Sequence, residues 1–168
     1  MAAPFQIDTK KVADRRPLSF NSIEEIEKDM DHLLDAERDG RLRQLGNWTP
    51  GQIFWHVGEI MRGSFEGIPL KAPWFIRVLG ATVIRKRVLG PKGFPTGIPL
   101  RGPAETIIAD PDITSDDGAA YLRTQLHRVR AGEKMTQRSP FLGPMSHEDW
   151  CALHRNHAAL HFSFLRPE

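Results

Sequence analysis

Four stretches of this chain open on a helix-capping residue and then place apolar side chains every three or four positions. That pattern restricts it to a mainly helical fold. Ser22-Ile-Glu-Glu25 is a capping box, in which Ser22 caps and Glu25 reaches back. Behind it Ile23, Ile26, Met30, Leu33 and Leu34 form one stripe that ends near Gly40. Thr49 caps a second helix with Pro50 at its first position and Gln52 completing the box; its inward stripe reads Ile53, His56, Val57, Ile60 and Ser64, up to about Gly67. The third starts near Thr114, carries Asp116 and Asp117 in its first turn, and buries Ala119, Leu122, Leu126 and Val129 before Gly132. The fourth runs from Ser146 to about Leu165, ahead of Pro167. With no convincing alternating strand, four amphipathic helices predict an all-α four-helix bundle.

Residues 1–18 are polar and aperiodic and read as an N-terminal arm, leaving 19–168 as a single helical domain. The 168 residues suit one domain that closes its own core. The stretch 68–113 is a long connection between helices 2 and 3. Ala72 to Leu89 is apolar and basic and expected to be partly helical, and Pro91 to Pro103 is loop. From Lys71 to Arg101 there are seven basic residues (71, 77, 85, 86, 87, 92 and 101) and no acidic one, which leaves −5 on the rest of a chain whose net charge is +2. Such a segment suits an anionic substrate, a partner or a membrane surface, but a solvated charge run is the simpler expectation. On a straight helical wheel the apolar residues of 74–89 do not gather on one side, which argues against the membrane. The mild overall charge gives no reason to expect nucleic acid. The single cysteine, Cys151, permits no intrachain disulfide and fits a reducing, cytoplasmic setting. The start of the chain shows no signal-peptide h-region, and Pro73 to Leu89 is broken by Arg77, Arg85, Lys86 and Arg87, so no membrane span is expected there.

The chemistry-bearing residues sit inside the stripes. On helix 4, Trp150, Leu153, His157, Leu160, His161 and Phe164 fall on one face at 100° per residue. His157 and His161 are one turn apart there, placed so that two imidazoles can share a metal ion. Hydrogen-bonded core histidines are the rival reading at even odds, since His-x-x-x-His pairs also arise by chance. His56, on the core stripe of helix 2, tips the balance: if helices 2 and 4 are neighbours, three imidazoles converge and leave positions open for water or substrate. His154, at the edge of the helix 4 face, is the rival third ligand. Gln52 and Glu59 flank His56 and are candidates to orient an imidazole or, for Glu59, to act as a base; the simpler reading leaves both solvated. Cys151 points off the core face and reads as passive.

At these residues a family resemblance emerges. Asn47-Trp-Thr-Pro-Gly-Gln-Ile-Phe-Trp-His56 resembles the second-helix signature of the DinB-like superfamily, and Trp150-Cys-Ala-Leu-His-Arg-Asn-His157-Ala-Ala-Leu-His161 resembles its last-helix signature. Leu18-Ser-Phe-Asn-Ser22, Ala72-Pro-Trp-Phe and Lys86-Arg-Val-Leu resemble one branch of it, a domain of unknown function. The resemblance implies a four-helix bundle with a long crossover between helices 2 and 3, and a divalent metal on His56, His157 and His161. Zinc or nickel is the first expectation for that metal, with manganese or iron behind. It also implies a homodimer through helix faces and a small-molecule substrate. Relatives include transferases acting on low-molecular-weight thiols and a thiol-dependent isomerase, so a metal-dependent thiol S-transferase or hydrolase is expected. The alternative is a non-catalytic metal- or ligand-binding module whose basic segment docks a partner or anion.

Overall fold

A computed structural model describes residues 7–70, 79–98, 100 and 102–168, and the protein is mostly helical. The order is α1 (Ile23–Arg38), β1 (Leu42–Gln44), α2 (Pro50–Glu66), a π-helical turn (Gly80–Ile84) leading into α3 (Arg85–Leu89), a 3-10 segment (Gly102–Ile107), α4 (Ser115–Arg130), α5 (His147–Phe162) and β2 (Leu165–Pro167). Each long helix begins at the residue its sequence marks. Ser22, Thr49, Thr114 and Ser146 each accept a hydrogen bond from a backbone N–H in the first turn. Two of these are full capping boxes, Thr49 with Gln52 and Ser146 with Asp149. At α1 the box differs from expectation: Glu25 reaches back one residue further and accepts from the N–H of Asn21, at 2.7 Å.

The stripes of α1, α2, α4 and α5 meet in one core, where Ile26, Met30, Phe54, Val57, Met61, Leu122, Trp150, Ala158 and Phe162 are almost fully buried. The closest pairing is α2 against α4. Glycine makes it so: a Cβ on Gly118 would lie 2.2 Å from the carbonyl oxygen of Gly51, and one on Gly58 would lie 3.0 Å from the Tyr121 ring. Bare backbone at these points lets the two helices approach at their N-terminal ends. α5 then packs across both α1 and α2.

Two expectations are corrected. Helix α5 stops at Phe162, not near Leu165, and Leu165–Pro167 pairs antiparallel with Leu42–Gln44, in the register Leu42 to Pro167 and Gln44 to Leu165. Three-residue strands are too short to leave an alternating signature. Phe164 therefore lies beyond the helix whose face it was assigned to. The arm is also less free than its polarity suggests. Arg16 grips Asp29 with two hydrogen bonds of 3.0 and 2.7 Å, and its backbone N–H bonds the carbonyl of Ser163.

In the crossover, 79–89 is helical and 91–98 is irregular, as expected. Residues 72–78, with the Ala72-Pro-Trp-Phe motif, and the basic residues Lys71, Arg77 and Arg101 lie outside the described residues. Among the described residues no helix is long and apolar enough to cross a membrane.

Candidate metal centre

His56 is buried on α2 because it occupies a stripe position between Ile53 and Val57, and His157 is buried on α5 for the same reason, with His161 one turn on and half-buried. Packing of α2 against α5 brings the three rings together. His157 Nε2 lies 3.2 Å from His56 Nε2 and 3.1 Å from His161 Nε2. The three residues form a group able to hold a metal ion, with one ligand nitrogen from each and all of these within 4.8 Å of one another. With zinc–nitrogen bonds of about 2.0–2.1 Å, tetrahedral geometry sets ligand nitrogens about 3.3 Å apart, so the spacing fits a shared cation.

The protonation state fits as well. Burial drives the His56 pKa down to about 4, against a smaller opposing effect of its hydrogen bond to Ile107. Burial, reinforced by the neighbouring imidazoles, holds His157 and His161 well below the ordinary histidine value. All three rings are therefore neutral near pH 7, the form that coordinates a metal.

Each ring is also held in place. His56 Nδ1 donates to the carbonyl oxygen of Ile107 at 2.6 Å, which leaves the lone pair on Nε2 facing the cluster. Ile107 closes the 3-10 segment, so the crossover helps orient this ligand. Trp48 stacks on His161 at 5.3 Å with 6° between planes, and meets His56 edge-on at 4.8 Å. Phe94, from the irregular part of the crossover, covers His157 at 5.2 Å. Asn156 keeps that loop near by donating to the carbonyls of Val88 and Gly90.

The other sequence candidates lie elsewhere. His154 is fully buried, not at an edge. It donates from Nε2 to the Ser64 hydroxyl at 3.2 Å, stacks on Trp150, and stands outside the ligand group. Burial pushes its pKa down to about 3. Gln52 is buried, not solvated: it accepts from the Thr49 N–H and donates to the carbonyl of Ala109, so it pins the chain just after Ile107 and makes no hydrogen bond to an imidazole. Glu59 is not solvated either. It accepts two hydrogen bonds from Arg62 and one of 2.6 Å from the Tyr121 hydroxyl. Burial pushes its carboxyl up, but these bonds and the Arg62 charge together hold it below the usual value. Cys151 is half-buried, with its sulfur 3.8 Å from His147 Nε2, and burial pushes the thiol up, toward the unreactive form.

Sequence reasoning missed Trp48, Phe94 and the Ile107 carbonyl. Trp48 had a signal, since it directly precedes the Thr49 cap. Phe94 and Ile107 sit in a connection with no periodicity to read.

Comparison with curated proteins and with solved structures finds no match in either. A family model described as "Protein of unknown function (DUF1569)" matches residues 12–168, nearly the whole chain, and the protein belongs to that family.

Proposed function

We propose that this protein is a metalloenzyme that binds one divalent cation, zinc or nickel by preference, on the Nε2 atoms of His56, His157 and His161. It uses the cation to activate a low-molecular-weight thiol, or water, for attack on an electrophile. The observation that carries this reading is the convergence of three neutral imidazoles from two helices at ligand spacing. In this reading α1, α2, α4 and α5 are the four helices of a DinB-like bundle, and the stretch from Gly67 to Thr114 is its long crossover.

Three protein ligands leave a coordination position open, which distinguishes a reactive site from a sealed structural one. The chemistry that a divalent ion held by His56, His157 and His161 would supply is Lewis-acid lowering of the pKa of a water or thiol, which gives a nucleophile near neutral pH. The chain's part is to position and exclude. Ile107 fixes the His56 ring, while Trp48 and Phe94 screen His161 and His157 from bulk water. Glu59 is committed to Arg62 and Tyr121 and has no part in this reading.

The test is elemental analysis of the purified protein beside His157→Ala, followed by assays of metal-depleted and reloaded protein with panels of thiols and electrophiles. Roughly one metal per chain is expected in the wild type and little in the variant. Turnover that survives metal depletion contradicts the proposal, as does a metal content that His157→Ala leaves unchanged.

A further inference from the structure

Large apolar side chains with high exposure are few among the described residues, and four of them cluster: Leu79 (48%), Val83 (63%), Ile84 (37%) and Phe141 (41%). Scattered exposed hydrophobics are ordinary, but a cluster marks an interaction surface. Leu79, Val83 and Ile84 share a side because the π-helical turn Gly80–Ile84 spaces residues i, i+4 and i+5 one turn apart. A wheel drawn at 100° per residue already sets Leu79 near Val83 and moves only Ile84 away, by about 100°; in the sequence it is the apolar residues of 74–89 taken together that speak against this surface. Phe141 lies beside the same turn, its backbone against Gly80, where a Cβ would lie 2.0 Å from the Phe141 carbonyl oxygen. One turn on from Ile84, Val88 is 1% exposed, and Arg85 is bound to Asp149 and to the carbonyl of Pro144, so the element is anchored to the body while Leu79, Val83 and Ile84 stay exposed.

Basic residues follow the patch along the chain. Lys86, Arg87 and Lys92 are exposed, and no ion pair joins them to an acidic group among the described residues. The sequence from 71 to 101 carries seven basic residues and no acidic one, while the rest of the chain carries −5. Of those seven, Lys86, Arg87 and Lys92 are the described ones not held in an ion pair, and their charge favours an anionic surface.

We infer that residues 79–87, with Phe141, dock this protein on an anionic lipid bilayer. Leu79, Val83, Ile84 and Phe141 enter the boundary between headgroups and acyl chains, and Lys86 and Arg87 meet lipid phosphates. A second copy of the chain is a poorer occupant. In a two-fold dimer the patch meets itself and brings Lys86, Arg87 and Lys92 toward their own duplicates with no acidic residue in the segment to offset them. An acidic folded partner is also poorer, since these side chains stand out from a helical turn, a shape that a fluid boundary accepts and a rigid surface must match. The inference is independent of the histidine cluster.

The experiment is co-sedimentation of the full chain with vesicles of equimolar phosphatidylcholine and phosphatidylglycerol, against phosphatidylcholine alone, at low and high salt. Binding is expected only to the anionic vesicles and is lost at high salt. Lys86→Glu with Arg87→Glu should weaken it at least about tenfold, and Val83→Asp should weaken it while the circular dichroism and melting temperature stay as in the wild type. Lys28→Glu with Lys134→Glu makes the same charge change at exposed positions elsewhere and should have the smaller effect. The inference is overturned if the anionic vesicles do not bind, or if the remote pair weakens binding as much. It is overturned in favour of a second copy if gel filtration shows a dimer that Val83→Asp breaks without any vesicle binding. Binding to poly-glutamate as tight as to vesicles and indifferent to Val83→Asp overturns it in favour of an acidic protein.

Discussion

His56 Nε2 and His157 Nε2 lie 3.2 Å apart although 101 residues separate them in the chain. Two ring nitrogens at that distance share either a proton or a cation. His56 Nδ1 donates to Ile107, so in the metal-free protein His56 Nε2 is an acceptor and His157 must offer its proton from Nε2. A bound cation would take the place of that proton and leave His157 protonated at Nδ1, a buried atom without a hydrogen-bond partner in the structure. Nitrogen NMR of the imidazoles should show His157 changing tautomer on addition of zinc while His56 keeps its Nδ1 proton throughout. A metal-free protein with the His56 proton on Nε2 would falsify the assignment.

The two halves of this site were unequally legible. His157 and His161 announce themselves because they occupy apolar-stripe positions on a helix whose start and period are plain. His56 does so for the same reason behind the Thr49 box. That α2 faces α5 was not in the pattern, because amphipathic stripes give the buried side of each helix and not its neighbour. The glycines that seat α4 on α2, Gly51 and Gly118, carry no side-chain pattern that a periodicity argument can use. The walls of the site come from Phe94 and Ile107, in a Pro- and Gly-rich stretch whose course depends on tertiary contacts such as Asn156 with Val88 and Gly90. The solvent exposure expected of Glu59 failed because Tyr121 and Arg62, not water, satisfy its oxygens.

Glu59 separates a catalytic from a structural carboxylate. In Glu59→Gln the charge-assisted bonds from Arg62 and Tyr121 weaken, which should cost about 1–3 kcal/mol of stability. Metal content should be unchanged, because no atom of Glu59 belongs to the ligand group. Urea denaturation together with elemental analysis of the variant checks both points. Loss of bound metal at wild-type stability would assign Glu59 to the site after all.

The approach of α4 to α2 predicts the sign of a substitution that propensity alone gets wrong. Alanine in place of a helical glycine ordinarily stabilises by up to about 1 kcal/mol. At Gly118 the added Cβ would lie 2.2 Å from the Gly51 carbonyl oxygen, and backbone cannot swing aside. Gly118→Ala should therefore destabilise, by about 1–3 kcal/mol. Because the displaced backbone opens α2 just ahead of His56, zinc affinity should fall with it. A stabilised Gly118→Ala protein would show that the helices stand further apart at this end.

Acid sensitivity follows from His154, whose pKa in the fold is about 3 against an ordinary 6.5. Burial disfavours its charged form, so between these values the unfolded chain binds the extra proton and the folded chain does not. Its contribution to stability is thus complete above pH 6.5 and is lost as pH falls from 6.5 toward 3, at about 1.4 kcal/mol per pH unit for this one group. His56, with a folded value of about 4, adds a second loss over the upper part of the same window, and metal displacement would add a third. Measurements in chelator, wild type against His154→Gln, isolate the first. The variant gives up the ring's hydrogen bond to Ser64 and its stacking on Trp150, so it should be less stable at pH 7. Its stability should nevertheless fall less steeply on acidification, and the difference between the two proteins should close by about 1.4 kcal/mol for each pH unit below 6. Parallel pH profiles would mean that His154 is protonated in the fold or reached by water, and that its burial against Ser64 and Trp150 is not maintained in solution.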